Sequence, residues 1–148
     1  MLNADIAQTR QARVLDNITI LPFKFKHLPL LHSLLESNQY EGICHIDMKS
    51  LPKVGYIVLL GKVPIAAGFL RRLEPCFAQI DTLASNAYMG SIIRHQGITM
   101  VVDELIAHAK VLKLKGIVSH TANAGILKRA EILGFHVVKE TIIALPLK

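Results

Sequence analysis

The sequence has few of the residue types on which several classes of protein depend. Its two cysteines, Cys44 and Cys76, have no CxxC spacing, which fits a reducing compartment better than a disulfide framework. Tryptophan is absent and aromatic residues make up only 5% of the chain, so there is little material for stacking the bases of a single-stranded nucleic acid. No apolar run approaches the roughly 20 residues that cross a bilayer, and the N-terminal stretch lacks the apolar centre of a signal peptide. These absences predict a cytoplasmic protein with no membrane partner.

Several catalytic motifs are missing as well. The chain contains neither the G-x-x-x-x-G-K-[ST] sequence of P-loop nucleotidases nor the G-x-S-x-G sequence of α/β-hydrolases. Cys44, His45 and Asp47 stand close together, but no further ligand pair follows at a recognisable spacing. We therefore expect no metal site.

Apolar residues and positive charge, by contrast, are abundant. Of the 148 residues, 51% are hydrophobic, which is enough for one buried core, so we expect a single domain over 1–148 with residues 1–15 as a loosely attached arm. The formal net charge of +6 favours an anionic partner such as a nucleotide or a nucleic acid. Because the basic residues are spread along the chain, as on an ordinary solvated surface, a nucleic-acid partner has only weak support.

The order of predicted elements indicates an α/β fold in one layered structure. Apolar residues alternate with polar ones in some stretches and recur at helical spacing in others. In chain order, these patterns predict a strand at 17–23, a helix at 26–38, a hairpin at 55–72 that turns at Gly61 and Lys62, a strand at 76–84, a helix at 98–114, a strand at 116–121, a helix at 123–133, and one or two final strands within 135–148.

The stretch IRHQGIT, residues 93–99, precedes the most regular helical pattern in the chain. The start of a helix leaves backbone N–H groups without acceptors, and here it would combine them with the positive charge of Arg94. Gly97 would let a ligand approach the backbone closely. This combination favours a bound anion over a purely structural turn.

Two motifs on the expected elements resemble those of the GNAT superfamily of acyl-CoA N-acyltransferases. The R-x-x-G-x-T sequence at 94–99 is similar to the family's [Q/R]-x-x-G-x-[G/A] loop. Asn123 stands eleven residues before Gly134, which Phe135 follows, as in the family's N-x(6)-Y-x(3)-G-F pattern, although the tyrosine is missing. The resemblance, over about 17–145, implies a mixed, mostly antiparallel sheet with helices on both faces and with splayed fourth and fifth strands.

The resemblance also implies where acetyl-CoA, or another acyl-CoA, would bind as co-substrate. Its pyrophosphate would lie on backbone amides of the 94–99 loop, and its pantetheine arm would pair with the exposed edge of the fourth strand. Asn123 would contact the pantetheine or the acyl region, cap its helix, or do both. The implied cofactor-binding residues are Leu83, Ala84, Ser85, Arg94, His95, Gln96, Gly97, Ile98, Thr99 and Asn123.

The sequence departs from the family in the groups that transfer protons. Gln79 stands where some members carry an acidic residue on the fourth strand, and Ala130 where a tyrosine often serves as general acid; neither replacement transfers a proton. Asp81, two residues along the same strand face, is the preferred general base, and His120, at the end of the fifth strand, is the second candidate. Either one could instead be structural, Asp81 as a carboxylate that holds a loop amide and His120 as a polar group at a strand end.

The leading hypothesis is therefore an acetyl-CoA-dependent N-acetyltransferase that acts on a primary amine of a small molecule or a protein. The positive charge of the chain disfavours a strongly cationic small substrate. The alternative is a non-catalytic acyl-CoA-binding or interaction module that has lost its proton-transfer groups, and a nucleic-acid-directed protein is a third, weaker hypothesis. The resemblance also implies a homodimer.

Overall fold

A five-stranded sheet organises the part of the chain that the computed structural model describes, residues 16–38, 46–73, 75–120 and 124–138. Its strands are β1 (Ile18–Pro22), β2 (Val54–Leu60), β3 (Val63–Leu73), β4 (Phe77–Ser85) and β5 (Gly116–Val118). The helices are α1 (Leu28–Ser37), which follows a short 3-10 turn (Phe25–His27), α2 (Ser91–Val111) and α3 (Ala124–Ile132). The predicted N-terminal arm lies outside the described residues.

The strands lie in the order β1-β2-β3-β4-β5, and only the last pair is parallel. The predicted hairpin is confirmed as β2 and β3, which turn at Gly61 with a φ of +62°, a conformation that glycine adopts without a steric penalty. The expected mixed, mostly antiparallel sheet is therefore confirmed.

Both faces of the sheet are covered because β2 and β3 are apolar at consecutive positions, and consecutive side chains of a strand point to opposite faces. On one face, Ile57 and Phe69 pack against buried leucines of α1, among them Leu31. On the other face, Val58 and Leu70 pack against buried residues of α2. We call these the α1 face and the α2 face; together they confirm the expected helices on both sides.

The fourth and fifth strands part as predicted. β4 and β5 are paired only from Phe77 and Gly116 to Gln79 and Val118, where β5 ends. β4 runs on to Ser85 beside β3, and no described strand lies on its other side. We call this opening the fork.

A bulge interrupts β4 within the fork. Ala67 is opposite Ala84 and Phe69 is opposite Asp81, so one residue of β3 faces two of β4, Thr82 and Leu83. Thr82 has a φ of +51°, which is uncommon for a β-branched residue. Such bulges redirect side chains and are frequent beside functional sites.

Helix α2 begins at Ser91, seven residues earlier than the predicted start at 98. The sequence-based boundary is wrong because Gly97, which resembles a helix opener, lies inside the helix and is buried.

Within the described ranges, none of the helices has the length and apolar composition of a membrane-spanning segment.

The C-terminal predictions are met in part. β5 is shorter than the predicted 116–121 strand, whereas α3 matches the predicted 123–133 helix. Residues 135–138 are not in a strand, and 139–148, where the rest of the final strands was predicted, lie outside the described residues.

Candidate functional site

The open edge of β4 turns specific backbone groups toward the fork. The Asn86 N–H donates to the Ile65 carbonyl across the strand pair at 2.7 Å. Because pairs in an antiparallel ladder alternate between hydrogen-bonded and non-hydrogen-bonded, Ser85 directs its N–H and C=O away from β3, and Ala84 directs its own toward β3. Of the predicted pantetheine partners, Ser85 therefore faces the opening and Leu83 lies in the bulge. The prediction is wrong for the backbone of Ala84, which the β3 ladder uses.

Ser85 joins three elements at the far end of the fork. Its carbonyl accepts from Asn38 Nδ2 at 2.6 Å, and its hydroxyl oxygen accepts from Nε and Nη2 of Arg94, both at 3.2 Å. The structure thus brings together two residues that the sequence had placed on separate motifs. Because Asn38 already bonds to the Ser85 carbonyl, the Ser85 N–H is the backbone group that remains for a ligand strand.

The end of α1 supplies two residues that sequence reasoning missed. Asn38 is the C-cap of α1 and also donates to the Leu34 carbonyl at 2.8 Å. The buried Ser37 hydroxyl accepts from the Ala87 N–H at 3.0 Å, in the loop that follows β4. The only sequence signal was a Ser-Asn pair at the end of an apolar helix, which is also an ordinary helix terminus.

The start of α2 offers backbone donors, but not those predicted. Gly90 is the N-cap, and its carbonyl accepts the first helical hydrogen bond, from the Arg94 N–H at 3.1 Å. The N–H groups of residues 90–93 consequently have no acceptor within the helix. The prediction that amides at 95–99 are available to an anion is wrong, since an α-helix uses them for its own i→i−4 bonds. This correction applies to His95, Gln96, Gly97, Ile98 and Thr99.

Gly97 has a packing role in the structure. A Cβ added to it would lie 2.5 Å from Ile65 Cγ2 and 3.2 Å from Ala66 Cβ. Glycine is thus required for α2 to approach β3 closely, and the site is the interior of the α2 face rather than a ligand surface.

Asp81 lies on the α1 face, just past the point where β5 ends. Its Oδ2 accepts from Arg71 Nε at 2.7 Å, and its Oδ1 accepts from the Thr82 hydroxyl at 3.0 Å. Arg71 also donates through Nη2 to the Ser50 carbonyl at 3.0 Å. The side chain of Asp81 remains 28% exposed. The carboxylate is therefore held in place and still accessible, which suits both roles that the sequence left open.

The other positions considered for proton transfer lie on three different segments. Gln79 is the last residue of β4 paired with β5, and Ala130 lies in α3, so both are on the elements where the sequence placed them. His120 is exposed two residues past the end of β5. Asn123 lies outside the described residues, so its contact with a ligand stays a prediction.

Two residues with shifted pKa values, His27 and Tyr56, lie outside the fork. Burial, followed by the charges of Lys26 and Lys24, lowers the pKa of His27, whose Nδ1 accepts from the Lys24 N–H at 2.9 Å. Burial and the charge of Glu104 raise the pKa of Tyr56. Neither group faces Asp81, so these shifts concern stability rather than chemistry at the fork.

The turn beside Arg71 is fixed by its own hydrogen bonds. Asp47 Oδ1 accepts from both the hydroxyl and the N–H of Ser50 at 2.9 Å, and these bonds lower the pKa of the Asp47 carboxyl. The turn places the Ser50 carbonyl where it accepts from Arg71 Nη2.

No group of three or more His, Cys, Asp or Glu side chains in the described ranges could hold a metal ion.

The fold is shared with solved acetyltransferases, although sequence comparison alone detects no relative. No protein-family model matches the chain, and no curated protein matches it in sequence. A GNAT-family acetyltransferase from Streptococcus pneumoniae superposes with a TM-score of 0.70 at 13% identity, over 88% of this chain and 99% of that one. An acetyltransferase from Streptococcus agalactiae gives 0.66 at 17% identity, over 88% and 92%.

A third similar structure, a Mycobacterium tuberculosis protein solved in complex with CoA, gives a TM-score of 0.66 at 18% identity, over 85% of this chain and 76% of that one. Identities at this level carry the fold and not the chemistry. The TM-scores over most of each chain show that this chain, with its mixed five-stranded sheet and helices, has the fold of the GNAT acetyltransferases.

Proposed function

We propose that this chain is an acetyl-CoA-dependent N-acetyltransferase that acts on a primary amine. The observation that carries the proposal is the fork, where β4 leaves β5 after Gln79 and continues to Ser85 with one open edge. An extended ligand arm with amide groups can add to such an edge through main-chain hydrogen bonds. The fold of the chain, shared with acetyltransferases and with a protein that binds CoA, supports an acyl-CoA as that ligand.

The residues present fit CoA if its diphosphate is assigned to the true start of α2. The N–H groups of residues 90–93 lack acceptors within the helix, and the helix dipole adds positive potential there. The Arg94 guanidinium, in the first turn and bonded to Ser85, can donate to phosphate oxygens in a bidentate manner. The diphosphate site therefore moves about one to two helical turns toward the N-terminus from the predicted position.

Bound acetyl-CoA supplies an activated thioester, whose carbonyl carbon forms a C–N bond with the amine while the C–S bond breaks. The chain must align the amine and accept its proton. Asp81 is on the α1 face beside the fork, where its carboxylate can take that proton directly or through one water. Ala130 has no proton to give, so the departing thiolate takes one from water. Alignment of the two substrates supplies much of the rate.

A second candidate function is a non-catalytic acyl-CoA-binding module. It is favoured by the engagement of both Asp81 oxygens, with Arg71 and Thr82, and by the absence of a proton-transfer group at Gln79 and Ala130. It predicts CoA binding of ordinary affinity without amine-dependent release of thiol.

Calorimetry with CoA and an assay of thiol release from acetyl-CoA on a panel of amines test both candidates. Binding with amine-dependent release supports the enzyme, and binding without release supports the module. Protein that binds no CoA overturns both. Asp81→Asn is the informative variant, and Asp103→Asn, an exposed position on α2, is the matched control for loss of one negative charge.

A further inference from the structure

The candidate base has a cationic neighbour that the proposed chemistry does not require. Arg71 Nε lies 2.7 Å from Asp81 Oδ2, and the two residues are on adjacent strands at the fork. Arg71 is opposite Gln79, the last residue of β4 that pairs with β5. The ion pair is thus at the base of the opening, where the amine approaches Asp81 in the proposed enzyme.

The Arg71 guanidinium has N–H groups that its two hydrogen bonds do not use. Of its five N–H groups, one bonds to Asp81 and one to the Ser50 carbonyl. The Arg71 side chain is 46% exposed, so the remaining donors are within reach of a ligand. Asp81 is less exposed and keeps lone pairs on both oxygens. A ligand that enters the fork from the α1 face meets a carboxylate and a guanidinium side by side.

Two adjacent opposite charges complement a ligand that carries the same charges in the reverse order. An ammonium group bonds to Asp81 and a carboxylate a few bonds away bonds to Arg71, as in a free amino acid. A polyamine satisfies only the first contact and places further positive charge beside Arg71. An amino acid amide, which keeps the ammonium group but has no carboxylate, likewise satisfies only the first contact.

We propose that Arg71 determines acceptor specificity and that the acceptor is a free amino acid, whose carboxylate it binds while Asp81 receives the amine. This proposal rests on the proposed acetyltransferase function and names the substrate class of that site.

The expected effect of Arg71 follows from distance. A ligand carboxylate that accepts from Arg71 has its charge about 4 Å from that of the guanidinium, given ordinary hydrogen-bond lengths. Because the Arg71 side chain is 46% exposed, an effective dielectric constant of about 40–80 applies, and one charge at that separation changes binding by about five- to thirtyfold. The ammonium group is common to an amino acid and its amide, so its interaction with Arg71 cancels in the ratio.

The test compares each amino acid with its own amide, so that only the carboxylate changes. Alanine, glutamine and phenylalanine, their amides, and spermidine are assayed with acetyl-CoA on wild type and on Arg71→Gln. We expect wild type to prefer the acids, and we expect Arg71→Gln to lower the acid-to-amide ratio of kcat/KM about five- to thirtyfold. Arg71→Lys, which keeps the charge, should restore most of the ratio.

Arg72→Gln is the matched control. Arg72 is the exposed neighbour on β3, opposite Ala78 of the α2 face, so the same loss of charge there should leave the ratio unchanged. A purely structural Arg71 would lower both kcat/KM values equally in Arg71→Gln, and that result overturns the proposal. If Arg71→Gln does not fold, equal wild-type kcat/KM for acids and amides overturns it. Wild type that binds CoA but acetylates no member of this panel also overturns the proposal, whereas the acetyltransferase function itself is refuted only if no amine of the broader panel gives thiol release.

Discussion

Gly97→Ala separates the packing role of Gly97 from the ligand role that its motif suggests. The new methyl group would lie 2.5 Å from Ile65 Cγ2, which belongs to a fully buried β-branched side chain and cannot swing away. Relief requires a shift of about 1 Å in a packed interior, and overpacking of this kind costs about 1–3 kcal/mol. Replacing glycine in a helix returns about 0.5–1 kcal/mol. The net loss should be about 1–2 kcal/mol, which lowers Tm by about 3–8 °C in a chain of this size.

The assay is thermal unfolding beside calorimetry with CoA. Affinity in folded Gly97→Ala should stay within about twofold of wild type, because the residue faces β3 and not the fork. Ile65→Ala removes the clashing Cγ2, so Gly97→Ala should cost much less in that background, whereas Ile65→Val keeps Cγ2 and should preserve the cost. A Gly97→Ala variant as stable as wild type, or one that loses CoA binding while folded, would refute the packing argument.

Three further predictions concern the site and the pH dependence of stability. Asp81→Asn should reduce turnover about ten- to a thousandfold near neutral pH with little change in CoA affinity, measured by thiol release, and unchanged turnover would leave His120 as the remaining candidate base. Asn38→Ala removes the donor to the Ser85 carbonyl and should cost about 1 kcal/mol in thermal unfolding, whereas an unchanged Tm would mean that the bond adds no stability. Because the pKa of His27 is lowered from 6.5, the fold favours its neutral form; the stability this provides is present above pH 6.5 and is lost as pH falls below it. Melts from pH 7 to 5 should therefore show a steeper loss for wild type than for His27→Gln, and equal slopes would contradict the assignment.

Periodicity predicted most of the sheet because β2 and β3 are long and carry an unambiguous turn at Gly61. It failed at the start of α2 because a glycine has two meanings in a sequence. Gly97 marks a helix boundary by propensity, but here it is an interior residue required by contact with Ile65 of another element. Only the three-dimensional neighbour distinguishes the two cases.

The candidate site was predicted in its elements but not in its contacts. The resemblance placed Asp81 on the fourth strand and Arg94 near the start of the helix, and both are there. The partners of these residues depend on strand register and helix packing. Arg71 reaches Asp81 across a strand pair, and Asn38 reaches Ser85 from the end of α1. No local pattern around Arg71 or Asn38 indicates such a contact.

The bulge at Thr82 is the feature that sequence alone could not supply, and it places Asp81 and Ser85 on opposite faces of the sheet. In a regular strand Asp81 and Ser85 would share a face, since they are four residues apart. The extra residue puts Asp81 opposite Phe69 on the α1 face and Ser85 opposite Ala66 on the α2 face. In the proposed enzyme, the amine then approaches Asp81 from the α1 face while the diphosphate is held by Arg94 and the start of α2. The open edge of β4 lies between them, so the two substrates meet at the fork without competing for the same surface.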